Sequence, residues 1–158
     1  MRRWAPAALG ALLAGTVVLA LVMRWLADDP AEWHVDPAVA QRTGVPNDYL
    51  VAPEGASAAA PDRIAKVYEL PPRELLQAFD TVASGAPRTE RLAGSPEEGW
   101  ITYVQRSRIF GFPDYVSVRA VGVPGGSALI VWSRSRFGYG DFDVNRARVE
   151  SWLAGLGG

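Results

Sequence analysis

Cysteine is absent from this chain, which excludes disulfide frameworks, a lipidated N-terminal cysteine, thiolate metal sites and cysteine nucleophiles together. Histidine occurs once, as His34, so a multi-histidine metal centre or an imidazole-based catalytic triad lacks the residues it needs. Lysine is nearly missing too: Lys66 stands alone against 15 arginines, and with 16 glycines and 12 prolines the composition matches a GC-rich bacterial gene. A length of 158 residues holds one small domain plus an appendage and excludes a multidomain enzyme. The net charge of −1 conceals an uneven distribution. Ala27 to Gly99 carries 6 basic and 13 acidic side chains, whereas Trp100 to Val149 carries 7 arginines and 3 aspartates.

What is present starts with Trp4 to Met23, a run of 20 uncharged residues bounded by Arg2 and Arg3 on one side and Arg24 on the other. A helix of that length just crosses the roughly 30 Å hydrocarbon core of a bilayer. A cleavable secretory signal has an apolar run of about 7 to 15 residues and a small-x-small exit. Here the exit is Met23-Arg24-Trp25-Leu26, which is bulky. Residues 1–27 are therefore expected to form an uncleaved single-pass anchor. Arg2 and Arg3 precede the run and Asp28, Asp29 and Glu32 follow Arg24, a bias that places the N-terminus in the cytoplasm and the rest in the periplasm of a bacterial inner membrane. Trp4, Trp25 and Trp33 fall where interfacial aromatics belong.

Residues 28–62 contain Pro30, Pro37, Pro46, Pro53 and Pro61 and no sustained period, and they read as an extended connector that tethers the domain or lies along it. Asp36 followed by Pro37 suits a short capped turn to Ala40. His34 lies here beside Trp33 and reads as a solvated or interfacial side chain.

The folded domain is expected over residues 63–158. Arg63 to Leu70 alternates as a strand; Pro71 and Pro72 open a helix with Leu75, Phe79 and Val82 on one stripe and Gly85 as its stop. Arg88 to Leu92 is a weak strand. Trp100 to Ile109, Tyr115 to Val123 and Ser127 to Arg136 are strands of an antiparallel meander, and Val144 to Leu156 is a final helix entered from Asp141 to Asp143. Two helices with single apolar stripes need one sheet face to cover, so the fold class is α+β, a two-layer sandwich with two helices on one face of a mainly antiparallel sheet.

Chemistry concentrates from Trp100 onward, where Arg106, Arg108, Arg134 and Arg136 sit on predicted strands that arginine does not favour. Alternation puts Ala128, Ile130, Trp132, Arg134 and Arg136 on one face of the last strand. A guanidinium at a core margin requires carboxylate or phosphate oxygens, and Asp114 and Asp141 are the internal partners on offer. The segment Tyr103 to Asp114 (YVQRSRIFGFPD) and the segment Ser133 to Arg148 (SRSRFGYGDFDVNRAR) resemble the bacterial and chloroplast family known as domain of unknown function 1499. Its Ser-Arg-x-Gly-x-x-Asp-x-x-x-Asn-x-x-Arg pattern is met by Ser135, Arg136, Gly138, Asp141, Asn145 and Arg148, and the resemblance covers roughly Ile64 to Leu156. Asp143 stands where the pattern leads one to expect glycine. The resemblance implies an exported or membrane-anchored protein and brings no activity, substrate or cofactor with it.

Three readings of these residues compete. In the first, Asp114, Ser135, Asp141 and Arg148, with the strand arginines and Asn145, form an internal network that fixes the last helix on the sheet, the usual fate of polar groups at a core margin. The protein is then a structural or accessory subunit of a membrane complex. In the second, Arg106, Arg134, Arg136, Gly138, Gly140 and Asn145 build an anion site for a phosphate, a carboxylate or an anionic lipid headgroup beside the bilayer. In the third, Asp114 and Asp141 act as a hydrolase pair or Ser133 and Ser135 as nucleophiles, but no histidine or lysine base accompanies them and arginine is a poor proton acceptor. The sequence therefore points to a non-enzymatic binding or assembly module with no catalytic residue, metal or cofactor. Its partners are the membrane, through residues 4–23, and an anionic lipid or another membrane protein. Nucleic acid is excluded by the compartment and the acidic remainder. Phe110 and Phe112, flanking Gly111 in a turn, are the aromatic pair expected to be exposed.

Overall fold

The computed structural model describes residues 5–42 and 44–157; the expectations placed on Met1, Arg2, Arg3 and Trp4 lie outside them. Helix α1 (Ala5–Trp25) contains the window Ala8–Trp25, which is long and apolar enough to cross a membrane and is not buried within the protein. After it come a single turn, α2 (Pro30–Trp33), and a 3₁₀ turn at Pro37–Val39. Asp36 caps the second turn by accepting from the Ala38 amide at 3.0 Å, with Pro37 in the first position.

The sheet is built from β1 (Asp48–Ala52), β2 (Arg63–Ile64), β3 (Val67–Tyr68), β4 (Thr89–Ser95), β5 (Trp100–Arg106), β6 (Pro113–Val123) and β7 (Gly126–Ser135), in the order β2-β1-β7-β6-β5-β4. β4 to β7 form the antiparallel meander, and β1 and β3 share the free edge of β7 end to end. Helices α3 (Pro72–Gly85) and α4 (Val144–Ala154) complete the domain. Both lie on one face, where Leu75, Leu76, Phe79, Val149 and Trp152 pack on Tyr103, Val116, Val118 and Val131. The fold is α+β with a mainly antiparallel open sheet.

The opposite face carries a second apolar cluster of Leu50, Ala52, Ile130 and Trp132, covered by Val35, Ala38, Ala40, Ala56 and Ala59. Residues 28–62 are thus more than a connector. They fold back along the sheet and supply β1, which pairs with β7 through Asp48↔Arg134 and Leu50↔Trp132. Residues 49–52 are buried on both faces, so this strand shows none of the apolar-polar alternation by which a strand is recognised in sequence. The single strand expected over Arg63 to Leu70 is two. β2 runs parallel to β1 and β3 antiparallel to β7, and the Ala65 amide bonded to the Ala52 carbonyl at 3.0 Å marks the break between the two ladders.

Candidate functional site

The strand arginines face the side of the sheet that residues 23–36 cover. Arg106, at the end of β5, donates through Nη1 to the Met23 carbonyl at 2.7 Å and through Nη2 to the Leu26 carbonyl at 2.9 Å and to Asp28 Oδ2 at 2.6 Å. Arg136 donates to the Ala27 carbonyl at 3.0 Å and to the Tyr115 hydroxyl at 3.2 Å. Tyr115 in turn donates to Asp28 Oδ1 at 2.6 Å. Arg134 is 4% exposed. It donates to the Trp33 carbonyl at 2.6 Å and to Ser117 Oγ at 3.2 Å, with its guanidinium 4.0 Å from the centre of the Trp132 ring. Burial pushes its pKa down to about 10, still charged at neutral pH. Trp33 stacks on Tyr115 at 4.0 Å, and His34 stacks on Trp100 at 3.6 Å and bonds Thr102 Oγ1 at 2.9 Å. The last carbonyls of a helix have no intrahelical partner and favour cations. Arg106 meets that need at the end of α1, and Arg136 takes the carbonyl just beyond it.

A second network holds α4. Asn145 is fully buried, accepts from Ser133 Oγ at 2.6 Å and donates to the Asn47 carbonyl at 2.9 Å and Ser135 Oγ at 3.0 Å. Arg148 donates to Ser133 Oγ at 2.9 Å, Gln105 Oε1 at 2.6 Å and Asp114 Oδ2 at 2.5 Å. Asp141 accepts from the amides of Asp143 at 3.1 Å and Asn145 at 2.8 Å, so it caps the helix and meets no strand arginine. Asp143, where the resemblance led to the expectation of glycine, takes a left-handed conformation with φ of 63°, the region glycine enters most readily. Both serines named as nucleophiles bond to Asn145, and both aspartates named as a catalytic pair are engaged by Arg148 or by helix amides.

The structure therefore divides the expected site into two groups. Arg106, Arg134 and Arg136 gather on residues 23–33, while Asn145, Ser135, Asp114, Asp141 and Arg148 gather under α4. Sequence reasoning missed Asp28, the carboxylate that joins Arg106 to Tyr115; its only signal was its place just after the apolar run. It also missed Asn47 and Gln105, which carry no pattern at all.

Gly138 and Gly140 belong to a third feature, a groove of about 580 Å³ between the β5–β6 loop and the β7–α4 loop. Phe110, Phe112 and Phe137 form its aromatic wall, with ring centres 5.7 and 6.0 Å apart. Ile109 is 69% exposed at its rim, Phe142 is fully exposed, and the Arg108 side chain makes no ion pair among the described residues. The groove adjoins α1: Arg24 Nη2 donates to the Arg108 and Ile109 carbonyls, both at 3.2 Å. Gly111 has a φ of 74°, and a Cβ there would lie 2.5 Å from Arg24 Cγ, so glycine serves both the turn and the close approach.

A family model described as protein of unknown function (DUF1499) matches residues 37–156, and the chain belongs to this family. The match starts at Pro37, so it includes β1 and Arg106, Arg134 and Arg136, whereas the Met23, Leu26, Ala27 and Trp33 carbonyls they hold precede it. No curated protein and no solved structure matches the chain.

Proposed function

We propose that this DUF1499 protein is a single-pass protein of the bacterial inner membrane whose periplasmic domain is a non-enzymatic binding module, clamped to the exit of its anchor so that it works at the bilayer surface. One observation carries the reading: Arg106 and Arg136 hold the Met23, Leu26 and Ala27 carbonyls and Asp28, the residues where α1 ends. A cleaved signal would leave no reason for this arrangement, because a cut near Ala27 removes the Met23 and Leu26 carbonyls and leaves Arg106 short of ligands in a half-buried site. The arginine bias around the apolar run supports a cytoplasmic N-terminus. In this reading Arg106, Arg134 and Arg136 act structurally, donating to backbone carbonyls, to Asp28 and to the Ser117 and Tyr115 hydroxyls.

The test combines topology and processing. Reporter fusions after residue 157 should be active only outside the cytoplasm, and the mature chain should retain its first residues. Activity confined to the cytoplasm, or a mature terminus near Ala27, overturns the reading.

A further inference from the structure

The groove beside α1 is built unlike the rest of the surface. Its wall is aromatic, its rim places Ile109 and Phe142 in the open, and Arg108, a cation with no ion pair among the described residues, stands at its edge. Solitary exposed apolar residues need no explanation, but a contiguous patch around a cavity marks a surface that is covered in use. Its position says what covers it. Helix α1 has 21 residues, a length of about 30 Å, so a helix that crosses the bilayer brings Arg24 and Trp25 to the polar boundary. The Arg24 guanidinium bonds the carbonyls of Arg108 and Ile109, which fixes this rim at the same depth. Ile109 is thus the next residue along the boundary from the anchor itself. An apolar cavity opening where acyl chains begin, with a guanidinium at the level of the phosphates, has the chemistry of a phospholipid site.

We infer that the groove between the β5–β6 and β7–α4 loops binds an anionic phospholipid of the leaflet in which α1 ends. The aromatic wall takes an acyl chain, Ile109 and Phe142 enter the interface, and Arg108 receives the headgroup. Asp114 and Asp141 also line the groove, but Arg148 and the α4 amides engage them, so they present little free negative charge to a phosphate. This rests on the membrane-anchored reading proposed above.

The full chain carrying Phe142→Trp, in nanodiscs of phosphatidylcholine with added phosphatidylglycerol, tests it; Phe142 touches no core, so the substitution leaves the fold alone. Lipids brominated on the acyl chain quench a tryptophan that they contact. The fluorescence added by Trp at 142 should be quenched by brominated phosphatidylglycerol. The preference over brominated phosphatidylcholine should be about fivefold, the factor one cation gains at an anionic surface. Arg108→Gln should abolish that preference, and Ile109→Asp should weaken quenching by both lipids. No quenching at 142, as when the groove faces water, a second copy or another protein, overturns the site. Equal quenching by the two lipids overturns headgroup recognition and with it the proposal. Trp25, 85% exposed at the end of α1, is the separate reporter of insertion: if it too escapes quenching, the anchor reading has failed, and if it alone is quenched, only the lipid site has.

Discussion

Removing the Asp28 carboxylate should release the domain from the end of α1 at a measurable cost in stability. Asp28 accepts from Arg106 Nη2 and from the Tyr115 hydroxyl, both at 2.6 Å, and lies 3.9 Å from Arg136 Nη1. Tyr115 has no exposed surface, and burial followed by the bond to Asp28 raises its phenol above the usual tyrosine range, so the hydroxyl acts here as a donor. In Asp28→Ala the charge-assisted bond to Arg106 is lost, worth about 1.5 to 3 kcal/mol, and the Tyr115 proton loses its acceptor, about 1 kcal/mol or more. Arg106 keeps the carbonyls of Met23, Leu26 and Gly111 and water reaches the vacated site, so the sum is nearer 3 than 5 kcal/mol by these typical values. For a domain of this size that corresponds to a fall in Tm of about 10 °C. Thermal melting of the full chain in detergent, followed by near-ultraviolet circular dichroism, measures it. Trypsin cleavage after Arg24 provides a second readout, because loosening residues 24–36 exposes that bond. An unchanged Tm refutes the energetics. A lowered Tm with no faster cleavage at Arg24 refutes the clamp, since Asp28 would then stabilise the sheet alone.

His34 makes stability depend on pH. Its burial against Trp100, only partly offset by Glu98, holds its pKa below 6.5, so the unfolded chain takes up the proton first. Stability should fall as pH drops from 6.5 toward the lower folded pKa, and His34→Phe should flatten that part of a Tm against pH curve. Asp141→Ala removes acceptors for the Asp143 and Asn145 amides but strands no cation, so urea unfolding should show a loss of about 1 kcal/mol. A loss above 3 kcal/mol would mean that Asp141 also neutralises an arginine.

The helix-bearing half of the fold was legible because the apolar residues of its helices recur on one face and its strands are long apolar runs closed by turns. Leu75, Phe79 and Val149 recur on one helix face, and periodicity follows from that asymmetry; strands β5 to β7 are buried on both faces over 101–104, 115–118 and 127–134, and their β-branched and aromatic runs between turn residues made them legible. Strand β1 was hidden because it is a short, fully apolar buried run inside a proline-rich stretch, and the break between β2 and β3 because two-residue strands carry no period. The arginines on strands were legible as an anomaly needing oxygen partners. Which oxygens was not, because backbone carbonyls have no residue code. A carboxylate partner leaves a trace in sequence, but Met23, Leu26, Ala27 and Trp33 accept through groups every residue has. The groove was foreshadowed only by Phe110 and Phe112 around Gly111 and by the glycines at 138 and 140. Its wall needs Phe137 from another loop, a pairing set by the β6–β7 register.

The clamp also explains why a groove beside the anchor is useful. A flexible stretch as long as residues 28–62 has a typical end-to-end distance of roughly 30 Å, enough for a tethered domain to turn any face to the membrane. Here that stretch is not a free tether. Val35, Ala38, Ala40, Ala56 and Ala59 pack on the sheet, Asp36 pairs with Arg119, and the Ala58 amide bonds the Ala38 carbonyl at 2.8 Å. Arg106 and Arg136 hold the chain within a residue or two of where α1 ends. The tether is thereby reduced to almost nothing, and the rotational freedom it would allow is removed before any ligand arrives. A weak apolar site held at the correct depth gains from this preorganisation as it would from added contacts, because orientation need not be lost on binding. In the proposed function two of the three arginines therefore serve binding indirectly: they touch no ligand, and they set which face of the domain meets the bilayer.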